Sequence, residues 1–375
     1  MSQNVNLQGV KLVCIMPSYD KADTIAKSIQ SVLAQKANFA YKLIIVDDCS
    51  TDGSYDIARE FAAQNADKII LLKNERNLGL AHSTNGVIPL LKGVEYFCLL
   101  DPDDWYIYDK KFADAVEFLD SHKDFVCHFA NIIFNQNGSE SLYIDLDCKK
   151  EFVDYDWEDY KNGKGFFVQT SGGIFRNVYF YNGMHQKFFE FTHKEYSNFF
   201  TSDGFFVPWH IYAGKAHFVN HAQSVYNYNG QGEWSNLTEL AQRLVDVKAR
   251  LAFSDFFEDE RKYWLCDAKI YFDKAVSLFR HADKALQEKH RDSVLWCFEQ
   301  IYLSDYPFFD EKKRHKTTAY KIRLCGIPFL TITGSNNNKK VKFFNKIELL
   351  KNSANLNEFI VCSINFWVEF STLGV

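Results

Sequence analysis

The sequence predicts an α/β fold: a mostly parallel central sheet, followed by a helical and small β C-terminal extension. Three observations lead there. Short apolar runs alternate with amphipathic helical stretches four times within about the first hundred residues. The runs are apolar throughout rather than at every second position, the pattern of strands buried on both faces. Each run also ends in polar or acidic residues, and in open parallel sheets ligands bind beyond the carboxyl ends of the strands.

The elements follow in order. Residues 10–16 (VKLVCIM) are the first strand, broken by Pro17, Ser18, Tyr19 and Asp20. Over 21–35, Ile25, Ile29, Val32 and Leu33 recur at helical spacing, with Asp20 or Asp23 placed as a cap. Residues 43–46 (LIIV) are a second strand ending at Asp47 and Asp48, and turn residues 49–54 lead to a helix over 55–65. A third strand (69–72), a third helix (80–91) and a fourth strand (96–100) complete the alternation. Beyond these we expect a helix over 109–122, a strand over 125–134, and a hairpin turn at 135–138 leading to 142–144. Residues 148–164 are acidic and aromatic without a firm period, which reads as a loop.

The fourth strand stops at Asp101, Pro102, Asp103 and Asp104. Three carboxylates in four positions repel one another unless something positive sits among them. Pro102 favours a turn and pushes Asp101 toward extended geometry. Such a cluster suits a hard divalent cation that keeps positions open for phosphate; an acidic turn capping the next helix is the plainer alternative. There is no GxGxxG after the first strand and no Walker A loop, so an acidic rim would hold phosphate through a metal rather than through glycine amides.

Bulk properties narrow the class. A formal charge of −5 with 47% hydrophobic residues excludes a disordered chain and a nucleic-acid binder with a broad basic field. Nine cysteines lie scattered without zinc-finger or redox spacing, the pattern of buried thiols in a reducing compartment. Residues 1–10 are polar and no apolar run reaches about 18 residues, so neither a signal peptide nor a membrane span is expected, and the expected location is the cytoplasm. A length of 375 residues suggests two or three modules, with boundaries giving 1–235, 236–309 and 310–375.

The segments VCIMPSYDKADTIAKSIQSVLAQ, LIIVDDCSTDGS, NERNLGLAHSTNG and LLDPDDW together resemble the N-terminal half of a family 2 glycosyltransferase with the GT-A fold, across about residues 11–120. The resemblance implies inverting transfer of a sugar from a nucleotide diphosphate donor, aided by Mn²⁺ or Mg²⁺. It places Tyr19 against the base, with the backbone near Pro17 beside it. It makes Asp48 the acceptor of the base's ring N–H, which favours a UDP-sugar, with thymine as the other base that fits. Asp101, Asp103 and Asp104 would hold the ribose and the metal-bound diphosphate, with Asp103 and Asp104 on the metal. Many members carry Arg-Asn where this chain has Thr84-Asn85, which moves the pyrophosphate contact to Lys73 or Arg76.

In QTSGGIFR, the resemblance implies that Gly172 and Gly173 let the acceptor approach the backbone; a strand bulge explains them equally well. Asp203 would be the base that deprotonates the acceptor hydroxyl, and it also suits a helix N-cap. Where relatives carry a loop histidine this chain has Asn229 or its neighbours, and His217 and His221 read as structural. The implied product is a bacterial surface polysaccharide, lipooligosaccharide or capsule, built on a glycan or lipid-linked acceptor. A nucleotidyltransferase, which would want a basic Gly-rich loop after the first strand, and a non-catalytic nucleotide-sugar binding module are the rival readings. From 312 to 351, eleven Lys and Arg stand against Glu348 alone. That suits peripheral contact with an anionic membrane surface, although a solvated basic edge on a small β module is the favoured explanation.

Overall fold

The structure is a computed structural model that describes residues 5–146, 150–166, 169–180, 202–228, 230, 232, 234, 236–302, 320–324, 327–335, 338–343 and 347–350. Four continuously buried apolar segments lie side by side: β1 (Leu12–Ser18), β2 (Tyr41–Asp47), β3 (Ile69–Lys73) and β4 (Tyr96–Leu99). They pair in parallel in the order β3-β2-β1-β4. The connecting helices are α1 (Ile25–Leu33), α2 (Ser54–Gln64) and α3 (Leu80–Val87), the last running into a 3₁₀ turn at Ile88–Leu91. Ile25, Ile29 and Val32 of α1 are fully buried against β-strand residues such as Cys14, Met16 and Leu43, each worth about 1.5–3 kcal/mol relative to exposure.

Beyond β4 come β5 (Trp105–Tyr106), α4 (Lys111–Ser121), β6 (Phe125–Gln136) and β7 (Ser139–Leu142). The β6–β7 hairpin turns at Asn137 and Gly138, both with positive φ, as a tight two-residue turn requires. Then follow β8 (Phe152–Tyr155), α5 (Trp157–Lys161), β9 (Gly173–Arg176), the helix Ser202–Ala213 and β10 (Lys215–Tyr228). The whole sheet runs β3-β2-β1-β4-β9-β6-β10-β5, with β7 added on β6 and β8 on β10. β9 is antiparallel to both β4 and β6, while β10 is parallel to β6. The sheet is therefore mixed beyond β4, yet β1–β4, β6 and β10 all point the same way and deliver their carboxyl ends to one edge.

The segment expected as a loop over 148–164 contains β8 and α5 instead. Elements of four and five residues are too short to show a hydrophobic period, and the acidic run is partly a cap: the Asp156 side chain accepts from the Asp159 amide.

The chain divides into two compact units, Met1–Asn236 and Leu237–Val375. In the second, helices Glu239–Phe256, Arg261–His281 and Lys284–Tyr302 bury Leu244, Val247, Phe272, Val276 and Cys297 together. Helical spacing over 263–303 is interrupted at Asp283, whose carboxylate accepts from the Leu286 amide and restarts the helix. Strands β11 (Tyr320–Leu324), β12 (Ile327–Ser335), β13 (Asn338–Phe343) and β14 (Ile347–Leu350) form an antiparallel meander in sequence order. Among the described residues no helix is long and apolar enough to cross a membrane.

Candidate active site at the carboxyl ends of the strands

The loops that leave β1 and β2 are stitched to each other. The Asp20 amide donates to Ser50 Oγ (3.1 Å), and Asp20 Oδ1 accepts from the Thr51 amide (2.7 Å). Asp52 Oδ2 accepts from the Ala22 amide at 2.8 Å, and the Lys21 amide donates to Ser54 Oγ at 2.6 Å. Asp20 and Cys49 both take positive φ (48° and 68°), a conformation that costs a non-glycine residue about 1–2 kcal/mol. The strain sits where the rim turns sharply enough to leave Tyr19 standing 42% exposed. Pro17, in register with Val46, is buried behind it.

Asp48 is buried and its carboxylate is already engaged. Oδ1 accepts from Asn74 Nδ2 (2.7 Å) and the Leu78 amide (2.9 Å), and Oδ2 from the Gly79 amide (2.7 Å) and Leu78 again (3.1 Å). It thereby anchors residues 74–79, with Gly79 at φ +88° as the N-cap of α3. Arg76 lies exposed on this anchored loop. Lys73, the other expected substitute for the missing arginine, sits over the Tyr55 ring at 3.8 Å, and Thr84 is buried inside α3.

Residues 101–104 form a turn closed by the Asp104 amide on the Asp101 carbonyl at 3.0 Å, with Pro102 second in the turn. Two of its three carboxylates, Asp103 and Asp104, part company within it. Asp103 Oδ2 meets Lys21 Nζ at 2.6 Å, both side chains largely buried. Asp104 is fully buried, and its two oxygens accept from the Asn227 amide (3.0 Å) and Gln169 Nε2 (2.8 Å). Burial, then the charges of Asp101 and Asp103, push its pKa well above the usual carboxylate range. Asp104, expected on the metal, thus faces protein donors through both oxygens. α1 and Gln35, just beyond it, clamp the segment that follows: Ser28 Oγ donates to the Asp104 carbonyl, Ser31 Oγ accepts from the Tyr106 amide, and Gln35 holds the Tyr108 carbonyl and the Phe112 amide.

On the far side of β4, the Thr170–Gly172 turn is buried, and the Gly172 carbonyl accepts from Lys111 Nζ at 3.0 Å. Lys111 has no exposed surface, and burial lowers its pKa to about 8. A Cβ on Gly173 would lie 2.9 Å from the Phe175 ring and 3.1 Å from that of Phe129, so a side chain there would force these rings to shift. Asp203 is in the first turn of the helix Ser202–Ala213; its side chain, and Asn229, lie outside the described residues. His217 Nδ1 lies 2.6 Å from Asp154 Oδ1 and its ring stacks on Phe118, while His221 meets the Tyr108 ring edge-on.

Fit to a divalent ion turns on the donors this turn offers. Among the described residues no three His, Cys, Asp or Glu side chains converge into a cage. Asp103 already takes a positive charge at hydrogen-bond distance, and Asp101 stands two residues away on the same turn. Hard carboxylate oxygens in small number fit the way Mg²⁺ and Mn²⁺ bind through one or two carboxylates together with a nucleotide's phosphates. In a groove at the opposite, amino-terminal edge of the strands, Lys11 is paired with Asp120 and Lys68 donates to the Tyr41 hydroxyl.

Compared with known proteins, residues 13–205, just over half of the chain, match the family model described as glycosyl transferase family 2. The chain belongs to glycosyl transferase family 2. A putative glycosyltransferase of Bacillus subtilis, EpsE, is 34% identical over 131 residues, covering 35% of this chain and 46% of that protein. An Escherichia coli protein named as a UDP-Glc:α-D-GlcNAc-diphosphoundecaprenol β-1,3-glucosyltransferase, WfaP, is 32% identical over 114 residues, 30% of this chain and 42% of its own. This family 2 chain thus spans about half the length of these relatives. A crystal structure of S. aureus TarS with UDP-GlcNAc aligns with 92% of this chain and 100% of its own, at 14% identity and a TM-score of 0.48.

Several residues that build this candidate site were missed in the sequence: Lys21, Ser28, Ser31, Gln35, Lys111, Gln169 and Asn227. Ser28 and Ser31 share one face of α1, a signal available from spacing alone, and Gln35 follows just past its end. Gln169 and Asn227 lie 65 and 123 residues from Asp104, and nothing local marks them.

Proposed function

We propose that this chain is an inverting, metal-dependent glycosyltransferase that moves a sugar from a UDP-sugar to a glycan or lipid-linked acceptor in bacterial surface-glycan synthesis. The observation that carries the reading is the convergence of Tyr19, Asp48 and the 101–104 turn on one sheet edge, with Asp103 held against a cation. Tyr19 offers its exposed ring to the base, and Asp48, both oxygens held by Asn74, Leu78 and Gly79, fixes the 74–79 loop beside it. Arg76, on the loop that Asp48 holds, reaches toward the diphosphate. Asp101 and Asp103 hold Mn²⁺ or Mg²⁺, and Asp104 keeps the turn in place. When bound, the ion supplies positive charge for the departing diphosphate.

Asp203 takes the proton from the acceptor hydroxyl as its oxygen bonds to the anomeric carbon. The bond from that carbon to the diphosphate oxygen breaks, so the configuration inverts and UDP leaves with the electron pair. Gly172 belongs to the acceptor side, its carbonyl position set by Lys111. The lipid-linked acceptor is suggested by the name of the E. coli relative. Within the unit Leu237–Val375 we place a boundary near 309–310, between the helices described to Tyr302 and the basic strands described from Tyr320, the latter suited to peripheral contact with an anionic membrane.

The test is a thermal-shift panel of nucleotide sugars with Mn²⁺, followed by mass spectrometry for released nucleoside diphosphate. Stabilisation by UDP-sugars with slow release of UDP supports the reading. Stabilisation with no release from any donor would favour a binding module without turnover, and no response to any nucleotide rejects both.

A further inference from the structure

Asp104 is the least accessible member of the acidic turn, and its bonds lead away from the donor side. Its Oδ2 accepts from Gln169 Nε2 at 2.8 Å, and Gln169 Oε1 accepts from both the Ser171 amide (2.9 Å) and Ser171 Oγ (2.7 Å). The Gly172 amide closes on the Gln169 carbonyl at 2.8 Å, and Ser224 Oγ donates to the Ser171 carbonyl at 3.2 Å. Asp104, Gln169, Ser171 and Ser224 are all buried. A continuous, water-excluded path therefore runs from the 101–104 turn to the Thr170–Gly172 turn.

The path has a fixed polarity. A carboxylate at 104 accepts on both sides, so the Gln169 amide must present its NH₂ to Asp104 and its oxygen to Ser171. Buried donors and acceptors that lose their partners are costly, so neither residue can reorient alone.

We propose that Asp104 and Gln169 are positioning residues that couple occupancy of the donor site to the geometry of the Thr170–Gly172 turn. This rests on the reading above that a nucleotide and cation bind at Asp101 and Asp103. Asp104 shares a hydrogen-bonded turn with those two residues, so a ligand that fixes the turn fixes Asp104. Gln169 passes that constraint to Ser171 and Gly172, the side from which the acceptor hydroxyl approaches. The donor-filled enzyme then presents an ordered acceptor turn, and the empty one a looser turn.

The polarity supplies the test. Asp104→Asn places an NH₂ against the Gln169 NH₂, and Gln169→Glu places a second carboxylate against Asp104; each alone breaks the path. The double variant, Asp104→Asn with Gln169→Glu, restores it with donor and acceptor exchanged. The new amide at position 104 then accepts from the Asn227 backbone through its oxygen and donates through its NH₂ to the new carboxylate at position 169. That carboxylate still accepts from Ser171, and the net charge is unchanged. Gln169→Leu cuts the path from the Thr170–Gly172 side; Asp101 and Asp103 stay as they are, and Asp104 Oδ2 loses one hydrogen bond while Oδ1 keeps the Asn227 amide.

Residue-resolved hydrogen exchange on the full chain reads the coupling without an acceptor. In the wild type, UDP with Mn²⁺ should slow exchange at the Ser171 and Gly172 amides by about tenfold or more. In Gln169→Leu, UDP and Mn²⁺ should still bind while the protection disappears, and the double variant should regain both the protection and the melting temperature lost by each single change. Single and double variants that behave additively, or protection in Gln169→Leu equal to wild type, would overturn the coupling. Failure of UDP to bind the wild type, by calorimetry, would instead overturn the donor-site reading beneath it.

Discussion

Asp48→Asn is the perturbation whose cost can be worked most directly from the structure. The carboxylate receives three donors, Asn74 Nδ2 and the Leu78 and Gly79 amides, at 2.7–2.9 Å. An asparagine offers one acceptor oxygen, which can serve two of them at most, and its NH₂ then faces the third. The side chain is 3% exposed, so water does not rescue the orphan. One unsatisfied buried donor costs about 1–3 kcal/mol, and losing the charge on the surviving bonds adds about 1 more. Allowing for the partial exposure of Gly79, we expect a loss of about 2–4 kcal/mol. Urea denaturation measures it, and hydrogen exchange locates it: the Leu78 and Gly79 amides and the first turn of α3 should exchange faster. UDP affinity should fall with it, because Arg76 rides on the loop that Asp48 holds. A loss below about 0.5 kcal/mol with unchanged exchange at 78 and 79 would refute the assignment of Asp48 as the anchor of that loop.

Three further predictions follow from the same geometry. Asp203→Asn should retain Mn²⁺-dependent UDP binding but lose release of UDP to acceptor by at least about a hundredfold, and unchanged turnover would remove Asp203 from the mechanism. Asp103→Ala should free Lys21 and weaken UDP binding only where Mn²⁺ is present; an equal loss with and without the ion would argue that the carboxylate serves the fold alone. His210 is buried among Phe97, Phe175 and Trp209, and burial lowers its pKa from 6.5 to about 4. Between those values the unfolded chain binds the extra proton, so stability is full above about pH 6.5 and falls on acidification toward pH 4, by about 3 kcal/mol at most. His210→Phe should flatten that part of the pH–stability profile, and an identical slope in both proteins would contradict the assignment.

The parallel half of the fold was legible because its strands are apolar throughout and its helices are amphipathic, both patterns local in the chain. β5, two residues long, β8 and α5 were not, since they are shorter than the period that would reveal them. At the site, Asp48 and the 101–104 turn could be named from their place after buried strands. Their division of labour could not: Asp103 pairs with Lys21 across 82 residues, and Asp104 is turned inward by Gln169 and Asn227, which contact it only once β9 and β10 have folded. Gly173 shows the same limit. Its glycine suits an acceptor approach or a bulge, and in the fold the Phe129 and Phe175 rings fill the space a side chain would need.

The central claim is that the acidic rim takes a nucleoside diphosphate together with a divalent cation. Calorimetric titration of the whole chain with UDP, with Mn²⁺ and with chelator, tests it most directly. We predict saturable binding of one UDP that strengthens at least about tenfold with Mn²⁺ and loses that gain in Asp103→Ala. Binding that is indifferent to the metal, or no binding at all, would contradict the account.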